Sequence, residues 1–272
     1  MFFRKGCAKQ PLMAVFLCLA TMPIARAAEG DDLDVYKWRV TASWWFSHPT
    51  GSFTGKANSG TFDLNRDFHF GNYSTFSGTA DWRFKRKHHL LFGASPVTSS
   101  RSVTLNRTIE FQGVTYNVGT KTSADIRSLV FPLGYQYDII RRNRIILSFA
   151  TQVFLVHTRA SVSGTATVNG QTQARTASGS IFAPLPVLGP RVLWYPMHSG
   201  RLQVDGSFQG MSFFGYGNFL TARGTGDISL SRHWRLNLGY QMGQRLRIDT
   251  GTNSIGIKLT QKGPIAGFEA SW

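Results

Sequence analysis

Residues 234–248, WRLNLGYQMGQRLRI, alternate with one break. Trp234, Leu236, Leu238, Tyr240, Met242, Leu246 and Ile248 hold one parity, interrupted at Gln244, and Arg235, Asn237, Gly239, Gln241, Gly243, Arg245 and Arg247 hold the other. A period of two is the signature of a β-strand with one apolar and one polar face. In a soluble sandwich the apolar face meets a core and the arginines meet water. In a closed barrel whose apolar face looks outward, the arginines point into an enclosed lumen. The rest of the chain has to decide between the two.

The same alternation recurs. Trp38, Val40, Ala42, Trp44 and Phe46 share a face in 37–46, and Phe76, Ala80, Trp82 and Phe84 in 74–84. Leu90, Phe92 and Ala94 follow, then Leu129, Phe131, Leu133, Tyr135, Tyr137 and Ile139 in 128–140. Ile145, Leu147, Phe149, Val153 and Leu155 continue the pattern, as do Leu202, Val204 and Phe208, and Leu220, Ala222, Ile228 and Leu230. No long amphipathic helix interrupts it. The connections are of two kinds, and they alternate. One is short and basic: KRKHH (85–89), RRNR (141–144), HSGR (198–201) and SRH (231–233). The other is rich in Gly, Ser, Thr and Asn and usually longer: 47–60, about 113–123, 161–180, 214–218 and 249–254. Short turns at one end and longer loops at the other predict an all-β, transmembrane antiparallel up-and-down β-barrel of about ten strands. An even count puts both termini on the short-turn side. The runs around 88–112 and 124–140 exceed the roughly 9–11 residues a tilted strand needs to cross a bilayer, so some hairpins should project beyond it. A secreted soluble sandwich or lectin-like barrel is the rival fold, and it does not require two kinds of turn.

The N-terminus predicts export. Arg4, Lys5 and Lys9 precede an apolar run, LMAVFLCLATMPI (12–24), that is shorter than the roughly 20 residues of a membrane-spanning helix. Ala-Arg-Ala at 25–27 then supplies small residues at cleavage-site spacing, so residues 1–27 read as a signal peptide and 28–272 as a single domain. Bulky Val15, Phe16 and Leu17 disfavour a lipoprotein site at Cys18. Cys7 and Cys18 both precede residue 28, which excludes a disulfide scaffold or a cysteine-based site in the remaining chain. The net charge of +16 falls to +12 without the four basic residues of the leader. That excess suits anionic lipid or lipopolysaccharide phosphate. Nucleic acid is not expected as a partner of an exported chain with no basic helix.

GFEASW (267–272) ends the chain on an aromatic, with Phe268 on the same strand. This resembles the terminal signal of Gram-negative outer-membrane β-barrels, in which the last aromatic engages the assembly machinery; the family usually ends in Phe where this chain has Trp272. GTFDLNRDFHF (60–70) followed by WRFKRKHH (82–89) is similar to a pattern of small OmpA- or OmpW-like barrels. The resemblance implies an outer-membrane location, periplasmic termini, and Phe268 and Trp272 as an assembly signal.

In such a barrel a charge facing lipid at midplane costs about 2–4 kcal/mol for Arg or Lys, so the charged parity lines the lumen. Within a few residues of the short turns this parity holds Arg39, Asp81, Arg83, Asp138, Arg191, Asp205, Asp227, Arg235 and Glu269, five acids against four bases. Barrels of about eight strands are already filled by side chains. The expectation is therefore an ion-pair network closing the periplasmic half, with Asp227 opposite Arg235 across a turn centred on Ser231. Arg245, Arg247 and Lys258 lie higher, with Lys258 facing Arg245. They form either an anion or lipopolysaccharide contact or a solvated vestibule. A parity change between Ile255, Ile257, Leu259 and Pro264, Ala266, Phe268 places a bulge at QKGP (261–264).

Some outer-membrane barrels are enzymes. Omptin-type proteases use Asp–His pairs at the extracellular rim, and lipid A deacylases use a His and a Ser two residues apart. Here His88, His89, His198 and His233 fall in short basic turns, His48 and His69 in or beside the first loop, and His157 is followed two positions on by Arg159. No metal spacing, phosphate loop or nucleophile elbow is present, so neither a cofactor nor enzymatic activity is expected. The reading is a structural barrel or narrow passive channel. An outer-leaflet enzyme and a small apolar-solute pathway are the alternatives.

Overall fold

The computed structural model describes residues 33–55, 60–168, 171–213, 217–248 and 255–272. The expected signal peptide, 1–27, lies outside the described residues. Thirteen strands are present among them. They are β1 (Trp38–Thr54), β2 (Thr61–Asp63), β3 (Tyr73–Lys85), β4 (His88–Thr104), β5 (Ile109–Phe111), β6 (Val114–Tyr116) and β7 (Lys121–Arg142), followed by β8 (Ile145–Val168), β9 (Gln171–Trp194), β10 (Leu202–Phe213), β11 (Gly217–Ser229), β12 (Trp234–Ile248) and β13 (Gly256–Ser271).

Ten strands, β1, β3, β4 and β7 to β13, form a closed antiparallel barrel in chain order, with β13 returning to β1. The closing contact is made by the last residue. The Trp272 carbonyl accepts the N–H groups of Lys37 and Trp38 at 2.7 and 2.9 Å, and Trp272 N–H donates to the Trp38 carbonyl at 3.0 Å. Strands β2, β5 and β6 are short pieces within the two longest connections. β5 and β6 form a hairpin whose two-residue turn, Gln112–Gly113, has positive φ at both positions (53° and 73°), the backbone that matches strand twist in a two-residue loop.

Segment 161–180, expected as a loop, is strand instead over its described residues, 161–168 and 171–180. β8 and β9 stay paired from Ile145↔Trp194 to Val168↔Gln171. Glycine, serine and threonine gave it a loop's composition, yet its inward positions Val162, Ala166, Ala177 and Ile181 are buried. Together with β4 and β7 this hairpin builds a tall wall on one side of the barrel.

The strands exchange faces along their length. Near the short turns the outward positions are large and apolar and the inward ones polar: Phe131, Leu133 and Ile139 of β7 are exposed, whereas Gln136 and Asp138 are buried. Toward the hairpin end the outward positions turn polar, with Lys121, Arg127, Arg159 and Ser180 exposed. The inward ones become apolar: Ala124, Ile126, Val130, Val156, Ala160, Leu185 and Val187 are buried. This upper interior is filled by Phe53, Phe62, Leu64, Phe68, Phe70, Leu105, Ile109, Phe111 and Tyr116, largely from the loop strands. Phe62 lies at their centre, 5.4 Å from Phe53, 5.4 Å from Phe68 and 5.0 Å from Phe111. Tyr116 locks the β5–β6 hairpin to the wall by donating to the Val162 carbonyl at 2.7 Å and accepting from Ala177 N–H at 3.0 Å.

This exchange corrects the reading of the last strand. Ile257 and Leu259 point inward and Pro264, Ala266 and Phe268 outward on one unbroken parity of β13. The bulge is in β12, where one extra residue falls between Gln241 and Gln244 opposite Gly263 and Gln261.

Candidate functional site

The short-turn end of the lumen is closed by a charged cluster built around the segment preceding β1. Asp34 is almost fully buried and sits among three guanidiniums. Arg39 pairs with its carboxylate, Arg141 Nη2 lies 3.3 Å away and Arg83 Nη1 3.6 Å away. The Asp34 main-chain carbonyl accepts from Arg83 at 2.7 Å and Arg141 at 2.6 Å, and the Tyr195 hydroxyl lies 2.9 Å from its Oδ1. Two residues on, Tyr36 lies under the guanidiniums of Arg39 and Arg83, 3.9 and 4.4 Å from its ring centre, and donates to Asp81 at 2.7 Å. Residues 34–36 therefore occupy the mouth as a plug rather than trailing from it.

The plug is tied into the wall by a continuous polar network. His89 bridges Asp81 (Nδ1, 2.9 Å) and Asp138 (Nε2, 3.2 Å). Asp138 also accepts from Arg141 at 2.8 Å and Ser148 at 2.7 Å. Arg191 pairs with Asp205 at 2.8 Å, and Glu269 takes Arg39 at 3.2 Å and Arg235 at 3.0 Å. All nine charged positions read from parity (Arg39, Asp81, Arg83, Asp138, Arg191, Asp205, Asp227, Arg235 and Glu269) are therefore inside the lumen.

One expected pair is not formed. The register places Asp227 opposite Asn237, and Arg235 opposite Ser229 and Glu269. The turn is centred one residue later than Ser231, which moves every partner by two. Asp227 is held instead by neutral amides, Gln203 Nε2 and Asn237 Nδ2, each at 2.8 Å.

Several members of the cluster escaped sequence reading. Asp34 and Tyr36 precede the first strand. His89 reads as a turn residue, yet its register opposite Arg83 and Gln136 turns it inward, and it is 1% exposed. Arg141 lies in the basic RRNR turn. A bulge in β7 between Asp138 and Ile140 leaves Ile139 and Ile140 both outward and swings Arg141 onto the inner face. The available signal was the acidic run of Asp31, Asp32 and Asp34 immediately before a barrel rich in inward arginine.

Above the cluster lies a chamber of about 250 Å³ lined by Trp45, Gln152, Gln209, Gln261, Arg191 and Arg223, among others. A smaller apolar cavity of about 50 Å³ follows it, bordered by Val97, Ile126, Val156 and Phe219. At the hairpin end two loops are cross-linked. Arg107 donates twice to Asp67, both at 2.7 Å, joining the loop around β2 to the one before β5. Asp67 also accepts from Asp63 N–H at 2.7 Å. Burial raises the pKa of Asp67, but the Arg107 hydrogen bonds, the Asp63 N–H and the charges of Arg107 and Arg66 together outweigh it and hold the carboxyl below its usual range.

Of the upper basic group, Lys258 is exposed and faces Arg247 in the register rather than Arg245, which pairs with Thr260. The side chains of Arg245 and Arg247 lie outside the described residues. Phe268 is exposed on the outer face and Trp272 makes the closing backbone bonds. Of the histidines, His48 contacts Asn72 Oδ1 at 2.8 Å, His88 reaches the Tyr135 hydroxyl at 2.5 Å, His157 points outward opposite Phe182, and His233 contacts the Ser271 carbonyl at 2.8 Å. Among the described residues no group of three or more His, Cys, Asp or Glu side chains is placed to hold a metal.

No family model matches the chain, and none of the curated proteins does. Among solved structures, the outer membrane protease OmpT from Escherichia coli is similar with a TM-score of 0.58 at 10% identity, over 86% of this chain and 96% of that one. The translocator domain of the autotransporter NalP from Neisseria meningitidis has a TM-score of 0.42 at 10% identity, over 89% and 91%. The likeness to OmpT is one of fold: both chains form closed antiparallel β-barrels.

Proposed function

We propose that the chain is an integral outer-membrane barrel of structural role, or at most a narrow passive channel, whose lumen is shut at the periplasmic end. The observation that carries this reading is the exchange of faces along β7, β8 and β9. A band of outward Phe, Leu, Ile and Trp circles the lower barrel, including Phe149, Trp194, Phe208 and Leu238, all at least 42% exposed. Soluble monomers rarely expose contiguous apolar patches beyond a few hundred Å², and lipid covers such a band without cost. Above it the same strands behave as a soluble barrel, apolar within and polar without. The resemblance to small OmpA- and OmpW-like barrels, the export signal and the terminal aromatic agree with this assignment, and the last strand would engage the assembly machinery.

The partner proposed is lipopolysaccharide. Arg127 and Arg159 are register partners on the outer face, immediately above the row of Leu129, His157 and Phe182. Like charges directly opposite each other destabilise a sheet, and a phosphate at the lipid boundary relieves them. The proposal is of a non-enzyme: the buried His–Asp cluster sits at the short-turn end, in the plug rather than beside the outer leaflet.

Fractionation and surface tagging test the reading. Wild-type protein should partition with the outer membrane. A tag at the β8–β9 tip (169–170) should be reachable on intact cells, and one at RRNR (141–144) should not. Recovery of wild type as soluble periplasmic protein would overturn it.

A further inference from the structure

The ion pairs of the plug and chamber leave one charge of each sign over. Asp34, Asp81, Asp138, Asp205 and Glu269 each meet a basic side chain, and Arg39, Arg83, Arg141, Arg191 and Arg235 each meet an acid. Among the described residues, Asp227 and Arg223 form no ion pair. Asp227 is held by the amides of Gln203 and Asn237, each at 2.8 Å. Asp205 attracts Arg223 from a distance. That carboxylate is already taken by Arg191, at 3.1 Å through Nε and 2.8 Å through Nη2.

The two residues share the inner face of β11 and line the same chamber of about 250 Å³. Asp227 lies at its floor, next to the plug. Arg223 stands four residues nearer the hairpin end, about 13 Å along the strand. A charge taken out of bulk water without a partner is costly, and here two opposite charges bear that cost on either side of one cavity.

Unsatisfied polar atoms mark the same two poles. At the lower one, Asn237 donates through Nδ2 to Asp227 and leaves Oδ1, a buried acceptor, without a donor. At the upper one, Arg223 Nε is a buried donor without an acceptor. A carboxylate beside an amide oxygen suits an ammonium, and a guanidinium suits a carboxylate. Two other lining groups lack a hydrogen-bond partner, Arg39 Nε and Thr75 Oγ1. Arg39 faces Glu269 at 3.2 Å, so its charge is met. Thr75 is a hydroxyl that donates or accepts. The chamber is smaller than the roughly 300 Å³ at which drug-sized sites begin, which limits an occupant to about the size of an amino acid.

We propose that the chamber binds a small zwitterion of the amino-acid class, its ammonium on Asp227 and Asn237 Oδ1 and its carboxylate on Arg223. A cation alone would leave Arg223 unmet, and an anion alone would leave Asp227 unmet. The ammonium is a primary one, because Asn237 Oδ1 requires an N–H donor and a quaternary ammonium has none. The site is enclosed by the barrel wall above the plug, so it does not depend on what covers the outer apolar band.

Calorimetric titration of the purified, folded protein in detergent tests the site. The probes are glycine, β-alanine and γ-aminobutyrate, which carry the two charges at increasing separation, with butylamine and butyrate as single-charge controls. At least one zwitterion should bind saturably at one site per chain, and each control about tenfold more weakly or less. Arg223→Gln and Asp227→Asn should each weaken the zwitterion about tenfold, the loss of one charge-assisted hydrogen bond. Arg223→Gln should also weaken butyrate and spare butylamine, and Asp227→Asn should do the reverse. Arg223→Gln removes an unpaired charge and should leave the fold, read by circular dichroism, unchanged, so that variant is decisive on its own. No saturable binding by any of the three zwitterions would overturn the site, leaving a chamber filled by water. Butyrate binding as tightly as the zwitterions, or zwitterion binding unchanged in Arg223→Gln, would overturn it as well.

Discussion

Asp34 and Arg141 are 107 residues apart in sequence and meet inside the lumen, Nη2 to the main-chain carbonyl at 2.6 Å and to Oδ2 at 3.3 Å. The contact joins the segment before the first strand to a residue that a β-bulge has turned inward. It makes closure of the lumen depend on two local irregularities, an entering chain that folds back and a strand that slips by one.

Arg141 and Arg142 are neighbours in a basic turn and should behave differently. Arg141→Gln removes a partner from two buried carboxylates, Asp34 and Asp138. Such losses cost about 3–5 kcal/mol in a dry interior, and water in the mouth reduces that toward the roughly 0–1 kcal/mol of exposed pairs. At about 2–4 °C per kcal/mol for a domain of this size, Arg141→Gln should lower the thermal midpoint by several degrees. Arg142→Gln, on an exposed residue, should leave it unchanged. Equal midpoints for the two variants would argue against the plug as a stabilising unit.

Charge exchange distinguishes the true pair from the expected one. Arg235→Glu with Glu269→Arg should recover part of the stability that either single change loses, because the two are register partners at 3.0 Å. Recovery will be incomplete because Glu269 also serves Arg39. Asp227→Arg with Arg235→Asp should show no coupling. A double-mutant cycle in thermal unfolding measures both, and significant coupling between 227 and 235 would contradict the observed register.

Alternation made the barrel legible, along with its strand count, the outward apolar face and the parity of the lumen charges. The details that failed depend on single-residue slips. A turn centred one residue later replaced Arg235 by Asn237 opposite Asp227, and a bulge after Asp138 moved Arg141 from a solvated turn to the plug. Neither slip has a glycine or proline signal of its own, because packing of the inner face selects it. The upper barrel misled for another reason. Its inward apolar positions, such as Ile257 and Leu259, share a hydropathy pattern with outward ones lower down, and a pattern of period two says which residues share a face but not what that face meets. Asp34 and Tyr36 were illegible because they act as a plug outside any strand.

Acid should loosen the hairpin end before the barrel. With the folded-state pKa of Asp67 held below its ordinary value of 3.8, its ionised form contributes stability that is present above that value and lost as pH falls through the lower folded one. Hydrogen exchange within 60–72 should therefore rise as pH drops below about 3.8, after correction for intrinsic rates, while β8 and β9 stay protected. Arg107→Gln, which returns Asp67 toward its ordinary pKa, should raise exchange in this segment already at neutral pH and flatten its dependence on acid. An opening unchanged by Arg107→Gln would remove the Asp67–Arg107 clamp from the account.

Closure of the lumen by residues 34–36 is tested most directly by single-channel recording of the purified protein in planar bilayers. Wild type should show little or no steady conductance, and Asp34→Ala, which frees Arg39, Arg83 and Arg141 from their shared carboxylate, should produce larger or noisier currents. A wide, steadily open wild-type pore, or an Asp34→Ala variant indistinguishable from wild type, would contradict a lumen shut by its own N-terminal segment.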